Sequence, residues 1–118
     1  MKTVLITGAT GSVGKATAME LAKSNCMLLG RNTEKLGALK SDLINKTGNK
    51  QIETYMADLS EPESVLWVAE EIRKNHKSLN ALVNIAAIYK KPRLLNSHGI
   101  DYMFATNHLG PFILTSAL

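Results

Sequence analysis

At 118 residues the chain fits one domain, and 45% hydrophobic and 20% charged residues is an ordinary globular composition. No apolar run nears the roughly 18–20 residues of a membrane span, and the apolar part of the N-terminus is too short for a signal peptide. The net charge of +4 is spread along the chain, and its densest cluster, Lys90-Lys91-Pro92-Arg93, lacks interleaved aromatics, so nucleic acid is not an expected partner.

Strand and helix signals alternate. Thr3-Val4-Leu5-Ile6-Thr7 reads as a buried strand. Residues 13–23 read as a helix whose apolar side carries Val13, Ala16, Thr17, Leu21 and Ala22, with Asn25 as a left-handed stop. Residues 26–30 read as a second strand that buries the lone Cys26, and a single cysteine without a partner points to a reducing, cytoplasmic setting. From Thr33 to about Lys46 the spacing of Leu36, Leu39 and Leu43 predicts a helix stopped by Gly48. A third strand is expected over 51–57. Ser60, Pro62 and Glu63 then signal a helix start with a capping box, and Val65, Val68, Ala69 and Ile72 form its apolar face. A fourth strand is expected over 79–85, and a last helix from about Ile100 onward.

This order predicts an α/β fold: a Rossmann-type doubly wound parallel sheet with helices on both faces, its strands doubly covered. The whole chain is expected to be one NAD(P)-binding domain, its N-terminal portion. Phe112 to Leu118 carries no helix stop, so the sheet is expected to be incomplete in these residues.

The chemistry concentrates in Thr7-Gly8-Ala9-Thr10-Gly11-Ser12-Val13-Gly14. Gly8 lets the chain turn out of the strand, Gly11 lets backbone approach phosphate, and Gly14 lets the helix pack closely. A helix start in this position offers free N–H groups and a positive dipole end to a pyrophosphate. The candidate contacts are Thr7, Gly8, Thr10, Gly11, Ser12, Val13 and Gly14. The second strand ends in Gly30-Arg31-Asn32, without the acidic residue that would bind the ribose 2′-hydroxyl of NAD. Arg31 can hold a 2′-phosphate through its planar fork, with Asn32 donating beside it, which favours NADP over NAD. The three histidines, His76, His98 and His108, have no metal-ligand spacing, so no metal is expected.

Five segments together resemble the short-chain dehydrogenase/reductase family. They are the glycine turn, Gly30-Arg31-Asn32, Ala57-Asp58-Leu59, Asn84-Ile85-Ala86-Ala87, and Asn107-His108-Leu109-Gly110-Pro111-Phe112. The last segment is similar to the retinol-dehydrogenase-like and protochlorophyllide-reductase-like branches. The resemblance implies that Asp58 accepts from the adenine amino group, with the Leu59 backbone beside it. It implies that Asn84, Ala86 and Ala87 line the adenine ribose. Asn107 matches the catalytic asparagine, whose backbone holds a water in the family's proton relay. The implied activity is hydride transfer between nicotinamide and a small carbonyl or alcohol substrate, and the last helix is one the family often uses for homo-oligomers.

Some residues depart from the family pattern. Ser12 stands where the family has its second glycine, and the resulting spacing resembles extended branches, which include epimerases and non-catalytic dinucleotide-binding regulators. The stretch from Lys23 to Gly30 is shorter than usual. The family's catalytic tyrosine precedes a lysine by four residues, but Tyr55, Tyr89 and Tyr102 are followed at that distance by Leu59, Arg93 and Thr106. The catalytic serine, tyrosine and lysine are therefore not among these residues.

Overall fold

A parallel sheet forms around the most apolar strand of the chain. β1 (Thr3–Thr7) is buried at every position, and β2 (Asn25–Gly30) is buried along its middle. The computed structural model describes residues 2–88 and 94–118. Tyr89 and the basic cluster Lys90-Lys91-Pro92-Arg93 lie outside the described residues. β1 pairs with β2 on one side and with β4 (Ala81–Asn84) on the other, and β3 (Ile52–Met56) extends the sheet beyond β2, giving the parallel order β3-β2-β1-β4. Asn80 sets the β4 register. Its amide donates to the Thr3 carbonyl at 2.9 Å, and its Oδ1 accepts from the Thr3 amide at 2.8 Å.

The chain divides into two compact units. The first, residues 1–56 with 78–85, holds the sheet, α1 (Ser12–Leu21) and α2 (Thr33–Thr47). Its core joins Val4, Ile6, Cys26, Leu28 and Ile52 of the strands to Ala18 and Ala22 from the first helix and its end, and to Leu36, Leu39 and Leu43 of α2. Each fully buried leucine here contributes about 1.5–3 kcal/mol of apolar transfer. Burial pushes the Cys26 thiol up, and its Sγ donates to the Leu21 carbonyl at 3.1 Å, so the group is a protonated, structural thiol. α2 follows its predicted face. Asn32 caps it by accepting from the Lys35 amide at 3.1 Å, and Gly48 ends it at φ 74° with its amide donating to the Ile44 carbonyl at 2.8 Å.

The second unit, residues 57–77 with 86–118, is helical. α3 (Pro62–Asn75) buries Val65, Val68, Ala69 and Ile72, the face its sequence predicts. The last helix departs from expectation. It begins at Tyr102, capped by Asp101, and is broken into α4 (Tyr102–Phe104), a π-helical turn (Ala105–Leu109) and α5 (Gly110–Ala117).

Four further readings are corrected. The buried face of α1 is Gly14 and Ala18, continued by Ala22, whereas Val13 and Ala16 are exposed. This close contact admits only small side chains. Asn25 is the first residue of β2, not a left-handed helix stop, and no described non-glycine residue has positive φ. The fourth strand is shorter than the expected 79–85 and runs only over Ala81–Asn84. The doubly covered pattern holds for β1 and β2 alone. β3 exposes Glu53, Thr54 and Met56, and β4 exposes Ala81 and Asn84, as sheet edges do.

Candidate functional site

The glycine turn lies where β1 ends. Gly8 adopts φ 65°, a left-handed conformation that a side chain would strain. Gly14 is required for a different reason. A Cβ there would overlap the Gly8 carbonyl oxygen and stand 2.7 Å from the Gly8 carbonyl carbon and 2.8 Å from the Ala9 Cα. Gly11 faces no such crowding, because its Cβ would meet only the Gly8 oxygen at an ordinary 3.5 Å. Protein packing therefore does not explain Gly11, whereas close approach of a ligand would.

α1 starts at this turn with Gly11 as its N-cap, with no side-chain cap and no acidic residue in its first turn. Its first backbone N–H groups are not served by a side-chain cap, and the positive end of its dipole is not neutralised, an arrangement suited to an anion. Val13, in this first turn, is 64% exposed. Thr7 is buried, and its Oγ1 accepts from the Ile85 amide at 3.1 Å, so it fastens the C-terminal ends of β1 and β4 together. Asn84 pairs with Thr7 in register and is exposed.

An open depression of about 650 Å³ is lined by Thr10 from the turn, by Arg31 and Asn32 after β2, and by Thr33, Glu34 and Lys35 of the α2 start. The two segments that the sequence nominates for opposite ends of an ADP moiety thus meet in one surface. Asn32 already uses Oδ1 as the α2 cap, which leaves its amide nitrogen as the donor group. Thr33 Oγ1 donates to Met56 Sδ at 3.1 Å. Lys35 and Thr33 were not nominated from sequence, although an Asn-capped helix start beside Arg31 is the signal that would have found them.

In the second unit, Asp58 organises the entry to α3. Its Oδ1 accepts from the Ser60 amide at 3.0 Å and from Ser60 Oγ at 2.6 Å, and its amide donates to Ser64 Oγ at 2.9 Å. The expected capping box is absent, because Glu61, not Ser60, occupies the N-cap and gives no side-chain cap. A carboxylate has about four acceptor sites, so this turn leaves Asp58 capacity for a further donor. Leu59 is buried behind it. Ser97 donates from its amide, at 2.8 Å, and from its hydroxyl to the Glu61 carboxylate. Glu63 is held below the ordinary carboxylate range, first by its own backbone amide and then by the His98 ring at 2.6 Å. Both are surface contacts and contribute little stability.

Asn107 lies within the π-helical turn and grips the backbone of Ile88. Its Oδ1 accepts from the Ile88 amide and its Nδ2 donates to the Ile88 carbonyl, each at 2.7 Å. Ala86 is half-buried and Ala87 exposed in the irregular segment that leads to this contact. No group of three or more potential metal ligands occurs among the described residues.

Residues 2–118 match the short chain dehydrogenase family. The chain belongs to this family. Its relatives include dehydrogenase/reductase SDR family member 12 of Bos taurus, 38% identical over 116 residues, covering 97% of this chain and 36% of that protein. Retinol dehydrogenase 13 of Mus musculus is 35% identical over 119 residues, covering 99% of this chain and 36% of that protein. The chain thus spans little more than a third of these relatives. Among solved structures, a short chain dehydrogenase from Escherichia coli CFT073 complexed with NADPH superposes with a TM-score of 0.83 at 28% identity, over 99% of this chain and 51% of that one. A short-chain dehydrogenase from Sphingobium yanoikuyae in complex with NADPH gives 0.83 at 26% identity, over 99% and 46%. The Rossmann-type α/β class is therefore established over the whole chain.

Within this member of the family, the Asn107 side chain has a measurable structural task. Asn107→Ala removes both hydrogen bonds to the Ile88 backbone, at an exposed contact where water can take their place, and is expected to cost about 0.5–1.5 kcal/mol. Urea unfolding checks this, with a lowered midpoint at constant m-value as the expected result. No helix among the described residues is long and apolar enough to cross a membrane.

Proposed function

We propose that the chain is the dinucleotide-holding part of an oxidoreductase that prefers NADP to NAD. The observation that carries this reading is the depression in which Thr10 of the phosphate turn stands with Arg31 and Asn32. The uncapped start of α1 and the otherwise unexplained Gly11 fit a pyrophosphate, and Arg31 fits a 2′-phosphate through paired charge-assisted bonds. When bound, the nicotinamide would accept or deliver the hydride. The part of this chain is to bind and orient. Thr7 through Gly14 hold the pyrophosphate side, Asp58 with the Leu59 backbone receives the adenine, Asn84, Ala86 and Ala87 line its ribose, and Asn107 fixes the Ile88 backbone by a side-chain clamp.

The relatives' names support a carbonyl or alcohol substrate, with retinol as one instance of the class. We assign no proton donor within these residues, since none of the three tyrosines precedes a lysine by four positions. We also take the chain as one NAD(P)-binding domain in function, active in a reducing, cytoplasmic compartment. The glycine spacing Gly8, Gly11, Gly14 favours one rival, a dinucleotide-binding regulator without hydride transfer. A substrate-dependent change in NADPH absorbance separates the two.

Arg31→Asp tests the cofactor assignment. NADPH binding is expected to weaken by about 1–3 kcal/mol, and NADH binding much less. Nicotinamide fluorescence titration of both cofactors reads the difference, and equal loss for both would refute the role of Arg31.

A further inference from the structure

Within the second unit, the turn that carries Asp58 is bounded by two other elements. Gly110 of α5 lies against the Leu59 carbonyl, and the next carbonyl, that of Ser60, accepts from Asn96 Nδ2 at 2.8 Å. Resting on the reading that Asp58 receives the adenine, we propose that Asn96 is a positioning residue for the cofactor, holding the Asp58 carboxylate in place through the Ser60 backbone.

The orientation of the Asn96 amide is fixed by its own loop. Its Oδ1 accepts from the His98 and Ile100 amides, each at 2.9 Å, and its backbone bonds to Gly99 and Ile100 close the same turn. The amide nitrogen is then the group left to donate, and the Ser60 carbonyl takes it. Ser60 is only 1% exposed, so its polar groups depend on protein partners. Ser60 in turn donates to Asp58 Oδ1 from its amide at 3.0 Å and from its hydroxyl at 2.6 Å. Both bonds fall on one oxygen, so Oδ2 keeps acceptor capacity for an amino group. Ser60 therefore stands between Asn96 and the carboxylate, and a shift of its peptide re-aims the acceptor. Ser97 and His98 hold the same helix start differently. They meet the side chains of Glu61 and Glu63, not the backbone of the Asp58 turn.

The test compares NADPH with its hypoxanthine analogue, in which a carbonyl replaces the adenine amino group, on the protein in its longest expressed form. The wild type is expected to bind NADPH about tenfold more tightly than the analogue, as one hydrogen bond to a charged acceptor allows. Asp58→Ala is expected to abolish that preference. Asn96→Asp keeps the acceptor for the His98 and Ile100 amides but removes the donor to Ser60, and is expected to reduce the preference to about threefold or less. The two cofactors carry the same charge, so the added carboxylate cancels in the ratio. His98→Gln, in the same loop, is expected to leave the ratio unchanged. Thermal melting fixes a titration temperature at which every variant is folded. If Asn96→Asp melts too low, Asn96→Ser takes its place, since its hydroxyl still serves the turn but is too short for Ser60. A preference kept by the Asn96 variant but lost in Asp58→Ala, or lowered equally by His98→Gln, overturns the positioning role and leaves the adenine site standing. No preference in the wild type, or one that survives Asp58→Ala, removes the adenine reading and the proposal with it.

Discussion

Gly14→Ala is expected to cost about 3 kcal/mol or more and to abolish dinucleotide binding. The added methyl has nowhere to go. Its neighbours are the Gly8 carbonyl and the Ala9 Cα, all backbone, so no side chain can rotate aside. Relief requires α1 to move away from the turn that follows β1, which separates the N–H groups of the helix start from the loop beside them. A loss of this size is a large share of the roughly 5–15 kcal/mol that holds a domain folded. Gly37→Ala supplies the contrast. Gly37 is an exposed position within α2 with nothing within 4 Å of its Cβ, so alanine there is expected to stabilise by about 0.5–1 kcal/mol. Urea midpoints of the two variants should therefore move in opposite directions. Similar midpoints would show that packing at Gly14 has been misjudged.

Gly110→Ala carries the second large effect. Gly110 opens α5 where the π-helical turn ends, and its amide donates to the Ala105 carbonyl. A Cβ at this buried position would overlap the Leu59 carbonyl oxygen and lie 3.0 Å from the Leu59 Cβ and 3.1 Å from its carbonyl carbon. The expected cost is about 2–3 kcal/mol. The displacement falls on the residue next to Asp58, the proposed adenine acceptor, so on that proposal cofactor binding should weaken as well. The expected result is a weaker NADPH affinity measured below the unfolding transition, beyond the loss of stability. Stability loss with affinity intact would detach Leu59 from the cofactor.

Helical periodicity made α2 and α3 legible, because the burial of Leu36, Leu39 and Leu43, and of Val65, Val68, Ala69 and Ile72, is a direct consequence of which face is apolar. The buried face of α1 was not legible in this way. Gly14, Ala18 and Ala22 are buried because the helix packs closely, whereas the more hydrophobic Val13 stays outside. Hydropathy cannot report closeness of approach. The roles of Asp58 and Asn107 were partly hidden for a related reason. Their side chains hold backbone groups of Ser60 and Ile88, and such pairings are set by chain geometry rather than by residue type. The break in the last helix lies directly before Gly110-Pro111, where Pro111 lacks the N–H that a continuous helix would bond back to Asn107, a signal that the reading of one unbroken helix passes over. In the candidate site, the turn and Arg31 were readable because glycine spacing and charge have few alternative explanations. Lys35 was missed because a lysine in a helix is ordinarily a solvated one.

The most direct test of the central claim is a titration of the protein with NADPH and, separately, NADH, followed by nicotinamide fluorescence. Saturable binding of both, with NADPH the tighter, is the predicted result. No binding of either at millimolar concentration, or tighter binding of NADH, would contradict it.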